Sequence, residues 1–264
     1  MTRPDIPTFA TVEVAVDDRV GRLTLHQPDR LNPLGNDAMT ELIKAAQWFD
    51  TTGASVVVVR GAGRAFSAGF DLRQFTGGEP AIEVDVHTAN ELGWRMAEAV
   101  ERMRAVTLAA ITGPCIGGGV VLASACDLRI AADDAVFAIP EVDLGIPLTW
   151  GGIPRLVRDI GPTMTRELVL TCRRFDPVEA LRIGFLNRVV EPDSLDSAVE
   201  ELVSSLALKA PSVIAATKRQ VRDTVERMTP TSDAWAGADL LTAARHDPEA
   251  VAAAQAYLDR RNAR

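Results

Sequence analysis

The chain has 264 residues, 47% apolar, 24% charged and only 5% aromatic, which is ample for a sizeable and mainly aliphatic core. Its net charge of −8 speaks against a general nucleic-acid binder, which presents a basic face, but leaves room for a small phosphorylated ligand held by a few local cations. Cys115, Cys126 and Cys172 form neither a disulfide framework nor a zinc pattern, and no apolar run has membrane length, so a cytoplasmic chain without metal, membrane or nucleic-acid partner is expected.

Residues 11–16 and 20–25 alternate in polarity around Asp17-Asp18-Arg19 and predict a hairpin. Asn36 to Thr51 predicts a helix. Asn36 or Asp37 can cap it, Met39, Leu42, Ile43, Ala46 and Phe49 share one face, and Gly53 follows its end. Residues 55–60 (Ser-Val-Val-Val-Val-Arg) form a continuous apolar run, as expected of a parallel strand covered on both faces.

Residues 61–80 are glycine-rich and irregular. A helix is predicted from Glu83 to Arg104, a second buried strand over 107–112, and a helix opening at the glycine run 117–119. Short strands follow at 127–132 and 136–139, and the pattern turns helical after Pro154. Asp176-Pro177-Val178-Glu179 is a helix start with Asp as N-cap and Pro at the first position, and Gly184 stops that helix. Residues 187–190 make a last strand, and only helices follow, the final one opened by Asp247-Pro248-Glu249. The order is α/β: repeated strand–strand–helix units over residues 1–194, then a helical region over 195–264.

The glycines fit no phosphate loop, because no lysine follows them, and Gly61-Ala-Gly63-Arg-Ala-Phe66 lacks the third glycine of a dinucleotide fingerprint. Ala65-Phe-Ser67-Ala-Gly69 lacks the first glycine of a nucleophile elbow. Two strand-to-turn junctions remain, 64–72 and 113–119. Loops at the carboxyl ends of parallel strands meet at one crevice, so one backbone N–H from each can converge on a single oxygen. A glycine there removes the Cβ that would block a substrate. The other reading of both junctions is close packing of helix on strand.

In this order and spacing, Arg30-Leu-Asn-Pro-Leu34, Ala65-Phe-Ser-Ala-Gly-Phe-Asp-Leu72, Gly113-Pro-Cys-Ile-Gly-Gly-Gly119, Cys126-Asp127, Phe137-Ala-Ile-Pro-Glu-Val-Asp-Leu-Gly145 and Gly151-Gly-Ile-Pro-Arg-Leu156 resemble the crotonase (enoyl-CoA hydratase/isomerase) superfamily over essentially the whole chain. The resemblance implies a crotonase-like spiral of ββα units with C-terminal helices that form a homotrimer or homohexamer. It implies acyl-CoA thioester substrates and no cofactor beyond the coenzyme A of the substrate itself. It implies that the N–H groups of Phe70 and Gly118 form an oxyanion hole, with Ala68, Gly69 and Gly117 beside them. It further implies CoA or substrate contacts from these three and from Arg30, Asn32, Leu34, Thr149, Trp150 and Lys218. Phe70 is larger than the residues usual there and is expected to narrow the acyl pocket.

Family hydratases carry two glutamates. One matches Glu141; the other position holds Val121. Adding water across a double bond uses both carboxylates. Moving a double bond from position 3 to position 2 needs one acid–base group to take the α proton and return it at the γ carbon. The resemblance thus favours isomerisation with Glu141 as the catalytic residue, with hydration or simple acyl-CoA binding as the alternatives. Family dienoyl-CoA isomerases and dehalogenases place an aspartate where Thr149 stands, which speaks against both. Asp85 and His87 are candidates for a second acid.

Overall fold

The computed structural model describes residues 4–71, 86–232 and 237–262. Six strands form one sheet in the order β1-β2-β3-β4-β6-β8: β1 (Val12–Asp17), β2 (Val20–Leu25), β3 (Val56–Gly61), β4 (Val106–Ile111), β6 (Leu128–Ala132) and β8 (Arg188–Val190). Only the β1–β2 hairpin is antiparallel; the other neighbours run parallel. The β3 run Val56 to Val59 is buried throughout because both faces of the sheet are covered.

A second, smaller sheet carries the functional loops. Its core is the parallel pair β5 (Pro114–Ile116) and β7 (Val136–Ala138). Single bridges extend it: Ser67 pairs with Cys115, Leu34 with Phe70, and Phe137 with Phe175. Each turn of the chain therefore leaves a strand in the large sheet and a short extended segment in the small one. That is a spiral of ββα turns, and β5 is the element that the sequence pattern missed, being three residues long.

One face of the large sheet is covered by α1 (Asn36–Thr52), α2 (Val86–Arg102) and α3 (Gly118–Ser124), which join β2 and β3 residues in the main core. Gly35, not Asn36 or Asp37, is the N-cap of α1, and no side chain caps it. Next come α4 (Gly152–Thr171), broken at Gly161 (φ +74°) before Pro162, and α5 (Pro177–Arg182), whose N-cap Asp176 accepts from the Glu179 N–H at 2.7 Å.

The opposite face is covered by α6 (Leu195–Ala207), whose Leu195, Val199 and Val203 pack on Val56, Val58, Leu108, Ala110, Ile130 and Ala132. Helix α6, just past the expected boundary at 195, thus packs on the sheet's own apolar face. The helices beyond are α7 (Pro211–Met228), α8 (Gly237–His246) and α9 (Pro248–Asn262). None of the helices described is long and apolar enough to cross a membrane.

Candidate active site

The first junction follows β3. Asn32, buried and in the left-handed region (φ +53°), staples it: its Nδ2 donates to the carbonyls of Ala62 (2.9 Å) and Ala65 (2.8 Å), and its Oδ1 accepts from the Gln27 N–H (2.9 Å). The Ala68 N–H donates to Leu31 O, the Leu34 N–H to Gly69 O and the Asp71 N–H to Leu34 O. Neighbouring N–H groups of an extended chain point to opposite edges. Bonding of Gly69 and Asp71 to Leu34 therefore turns the Phe70 N–H the other way, toward the segment that holds β5.

The second junction runs from β5 into α3. Gly117 is the N-cap, with φ +51°, and its N–H is taken by Ala138 O. Gly118 opens the helix, so its N–H has no partner within it. Ser67 ties the junctions together: its N–H donates to Pro114 O and its carbonyl accepts from the Ile116 N–H, each at 3.0 Å. A Cβ on Gly69 would run into Ile116 O and lie 3.2 Å from the Gly118 nitrogen. Two N–H groups, of Phe70 and Gly118, thus stand at adjacent backbones with no acceptor among the described residues.

Glu141 lies beside them. A Cβ on Gly117 would sit 2.5 Å from its Oε1, so the absent side chain is the space the carboxylate uses. The residue is half-buried, yet Oε2 is sealed from solvent and unpartnered among the described residues. Burial pushes its pKa from the ordinary 4.5 up to about 7, opposed only by a hydrogen bond from its own backbone. The Glu141 carbonyl closes the turn beneath by accepting from the N–H groups of Leu144 and Ile146, both at 3.0 Å. Gly145 in that turn touches the last helix; any Cβ there would strike the carbonyl of Ala250 in α9. Val121 is buried in the core, one turn into α3, and contributes no polar atom.

Trp150 closes the other flank. Its ring meets that of Phe70 edge-on, with centroids 6.0 Å apart, and lies against the Cα of Gly118 and of Gly93 in α2. Thr149 is half-buried at the preceding position.

Three expected contacts are redirected. The Asn32 side chain is consumed by the loop it staples, and buried Leu34 acts through its backbone as partner of the first junction, so both are positioning residues. Lys218 has protein partners of its own. Its Nζ pairs with Asp127 at 2.6 Å and donates to Ala105 O at 2.8 Å, at the amino end of β4, a strand length from the glycine loops, with a side chain only 7% exposed. Arg30 pairs with Asp71 (2.6 Å) and donates to Gln27. Asp85 and the side chain of His87 lie outside the described residues.

Sequence reasoning missed Gly93 and Arg155. Arg155, 1% exposed, donates to the carbonyls of Trp150 and Gly151 and pairs with Glu98 and Glu101. Burial raises the pKa of Glu98, but the Arg102 hydrogen bond and the Arg155 charge outweigh it and hold the group below its ordinary range. A glycine inside an amphipathic helix, and an arginine in an otherwise apolar helix start, were the available signals.

A family model described as enoyl-CoA hydratase/isomerase matches residues 16–264. A Mycobacterium tuberculosis protein named "Probable enoyl-CoA hydratase" is 35% identical over 83% of this chain and 84% of its own. A peroxisomal Δ(3,5)-Δ(2,4)-dienoyl-CoA isomerase of Arabidopsis thaliana is 34% identical, over 83% and 82% of the two chains. Among solved structures, an enoyl-CoA hydratase/isomerase of Xanthobacter autotrophicus superposes with a TM-score of 0.83 at 29% identity, covering 96% of this chain and 99% of that one.

Proposed function

The chain belongs to the enoyl-CoA hydratase/isomerase family, and from that premise we propose that it moves a carbon–carbon double bond in an enoyl-CoA thioester from position 3 to position 2. One observation carries the choice: among the described residues a single sealed carboxylate, Glu141, stands beside the two free N–H groups, while Val121 supplies carbon where a second acid is needed for hydration.

In this reading the thioester carbonyl accepts from the N–H groups of Phe70 and Gly118. Glu141, ionised, removes a proton from the α carbon. The electrons of that C–H bond spread into a dienolate, whose oxygen the two donors stabilise; removal of one such donor typically costs about 3–4 kcal/mol of barrier. The same carboxyl, now protonated, returns the proton at the γ carbon, and the double bond settles between α and β. Product and substrate are isomers, and no other reactant enters. A proton affinity near neutrality lets Glu141 serve both steps at one pH.

The relative named as a hydratase favours a second reading, hydration of 2-enoyl-CoA. The two separate in one experiment: wild type and Glu141→Gln assayed with 3-enoyl-CoA and 2-enoyl-CoA. Isomerisation predicts rapid loss of 3-enoyl-CoA, slow hydration of 2-enoyl-CoA, and a fall of about 10²–10⁴-fold in the first on substitution. Rapid hydration by the wild type overturns the preference, and thioester binding with turnover of neither supports a binding protein instead.

The region beyond α6 we assign to self-association. Helix α7 has no buried residue, and Val213, Val221 and Met228 stand exposed along it, with Leu208 ahead of it. Light scattering is expected to give three or six times the 28.3-kDa chain mass.

A further inference from the structure

Trp150 is kept in place by features that each lower stability. Its φ of +59° puts a bulky side chain in the left-handed region, which costs roughly 1–3 kcal/mol. A glycine interrupts helix α2 at position 93, about 1 kcal/mol worse than alanine, and a Cβ there would fall within the indole. A Cβ on Gly118 would overlap the benzo ring. Arg155 is withdrawn from water to hold the Trp150 and Gly151 carbonyls, each at 3.2 Å. Core filling alone asks for none of this; a smaller apolar residue in ordinary backbone geometry, opposite an alanine, would serve. The arrangement makes sense if the indole must stand at one spot, against the Gly118 Cα and edge-on to Phe70.

We propose that Trp150, backed by Phe70, is the specificity-determining wall of the acyl pocket and restricts the protein to thioesters of short acyl chains. This rests on the reading above, which puts the acyl carbonyl at the Phe70 and Gly118 N–H groups. Carbons attached to that carbonyl then lie on the Gly117–Gly118 floor. Glu141 flanks that floor at Gly117, and the indole flanks it at Gly118. A longer chain meets the indole, which cannot retreat: Gly93 and its helix are directly behind it.

Saturated butanoyl-CoA and decanoyl-CoA test the wall without turnover. Their dissociation constants are to be measured by calorimetry on the full chain as wild type, Trp150→Ala, Trp150→Phe, Gly93→Ala and Gly93→Ala/Trp150→Ala. The decanoyl-to-butanoyl ratio is expected to move at least tenfold toward decanoyl in Trp150→Ala and by less in Trp150→Phe. Gly93→Ala, which presses the indole toward the site, is expected to weaken both ligands only while Trp150 is present. Thermal unfolding identifies the folded variants; if Trp150→Ala does not fold, Trp150→Phe and Gly93→Ala carry the test. A ratio unchanged within twofold in the folded position-150 variants overturns the wall and leaves the site reading intact. Failure of butanoyl-CoA as well as decanoyl-CoA to bind the wild type overturns the site reading itself.

Discussion

At the scale of single residues, Glu141 sets two measurable pH dependences. Folded, it holds its proton up to about 7; unfolded, it loses it near 4.5. Between those values the folded chain binds more protons, so stability falls as pH rises across the window and is level above it. Glu141→Gln removes this loss. Chemical denaturation at pH 8 is expected to find the variant more stable than wild type by up to about 3 kcal/mol, with the difference gone below pH 4.5. The kcat/KM of the wild type for 3-enoyl-CoA is expected to rise with pH and reach half its plateau near 7. Glu141 was legible from its place after Phe137-Ala-Ile-Pro140. Its dryness was not, because the carboxylate is sealed by Gly117 and by a turn leaning on a helix more than a hundred residues later.

At the scale of elements, the strand and helix periodicities were readable to within a few residues wherever a run was long. In the small sheet only β7 was readable; β5, three residues long, and the single bridges carry no periodicity to mark them. The alignment of that sheet depends on Asn32, read from the sequence as a ligand contact and found to be the staple of the first junction. Asn32→Ala leaves two carbonyls and one N–H short of a partner, in a backbone conformation that alanine resists. Loss of about 2–4 kcal/mol is expected in denaturant titrations, and kcat is expected to drop more than KM rises, because the Phe70 N–H loses its aim. Asn32→Gly, which tolerates the positive φ, is expected to recover part of the stability and none of the rate.

At the scale of the whole molecule, two ion clusters tie helix α7 to the body. Lys218 fixes α7 to the amino ends of β4 and β6 through Asp127 and Ala105. Arg158 fixes it through Glu226 and the Thr229 carbonyl, while Arg155 shares Glu101 with Arg158. Lys218 is almost wholly buried, but its partner Asp127 is exposed and keeps its hydrogen bonds from Thr107, so loss of the cation is expected to cost about 1 kcal/mol rather than the several of a fully buried pair. Lys218→Ala is therefore expected to lower the unfolding midpoint modestly while leaving KM for a CoA thioester unchanged within twofold; a large rise in KM instead would place Lys218 at the ligand. The ion pair of Lys218 was not legible in the sequence, because helical position alone does not say which end of a sheet a long side chain reaches.

The contact between Gly145 and the Ala250 carbonyl gives the far tail of the chain a hand in acid–base behaviour. Helix α9 lays backbone against the turn that follows Glu141, the carboxyl proposed to react. A chain ending at residue 247 would admit solvent beneath that turn, and the midpoint of its activity-versus-pH curve should slide from neutrality toward that of an ordinary glutamate.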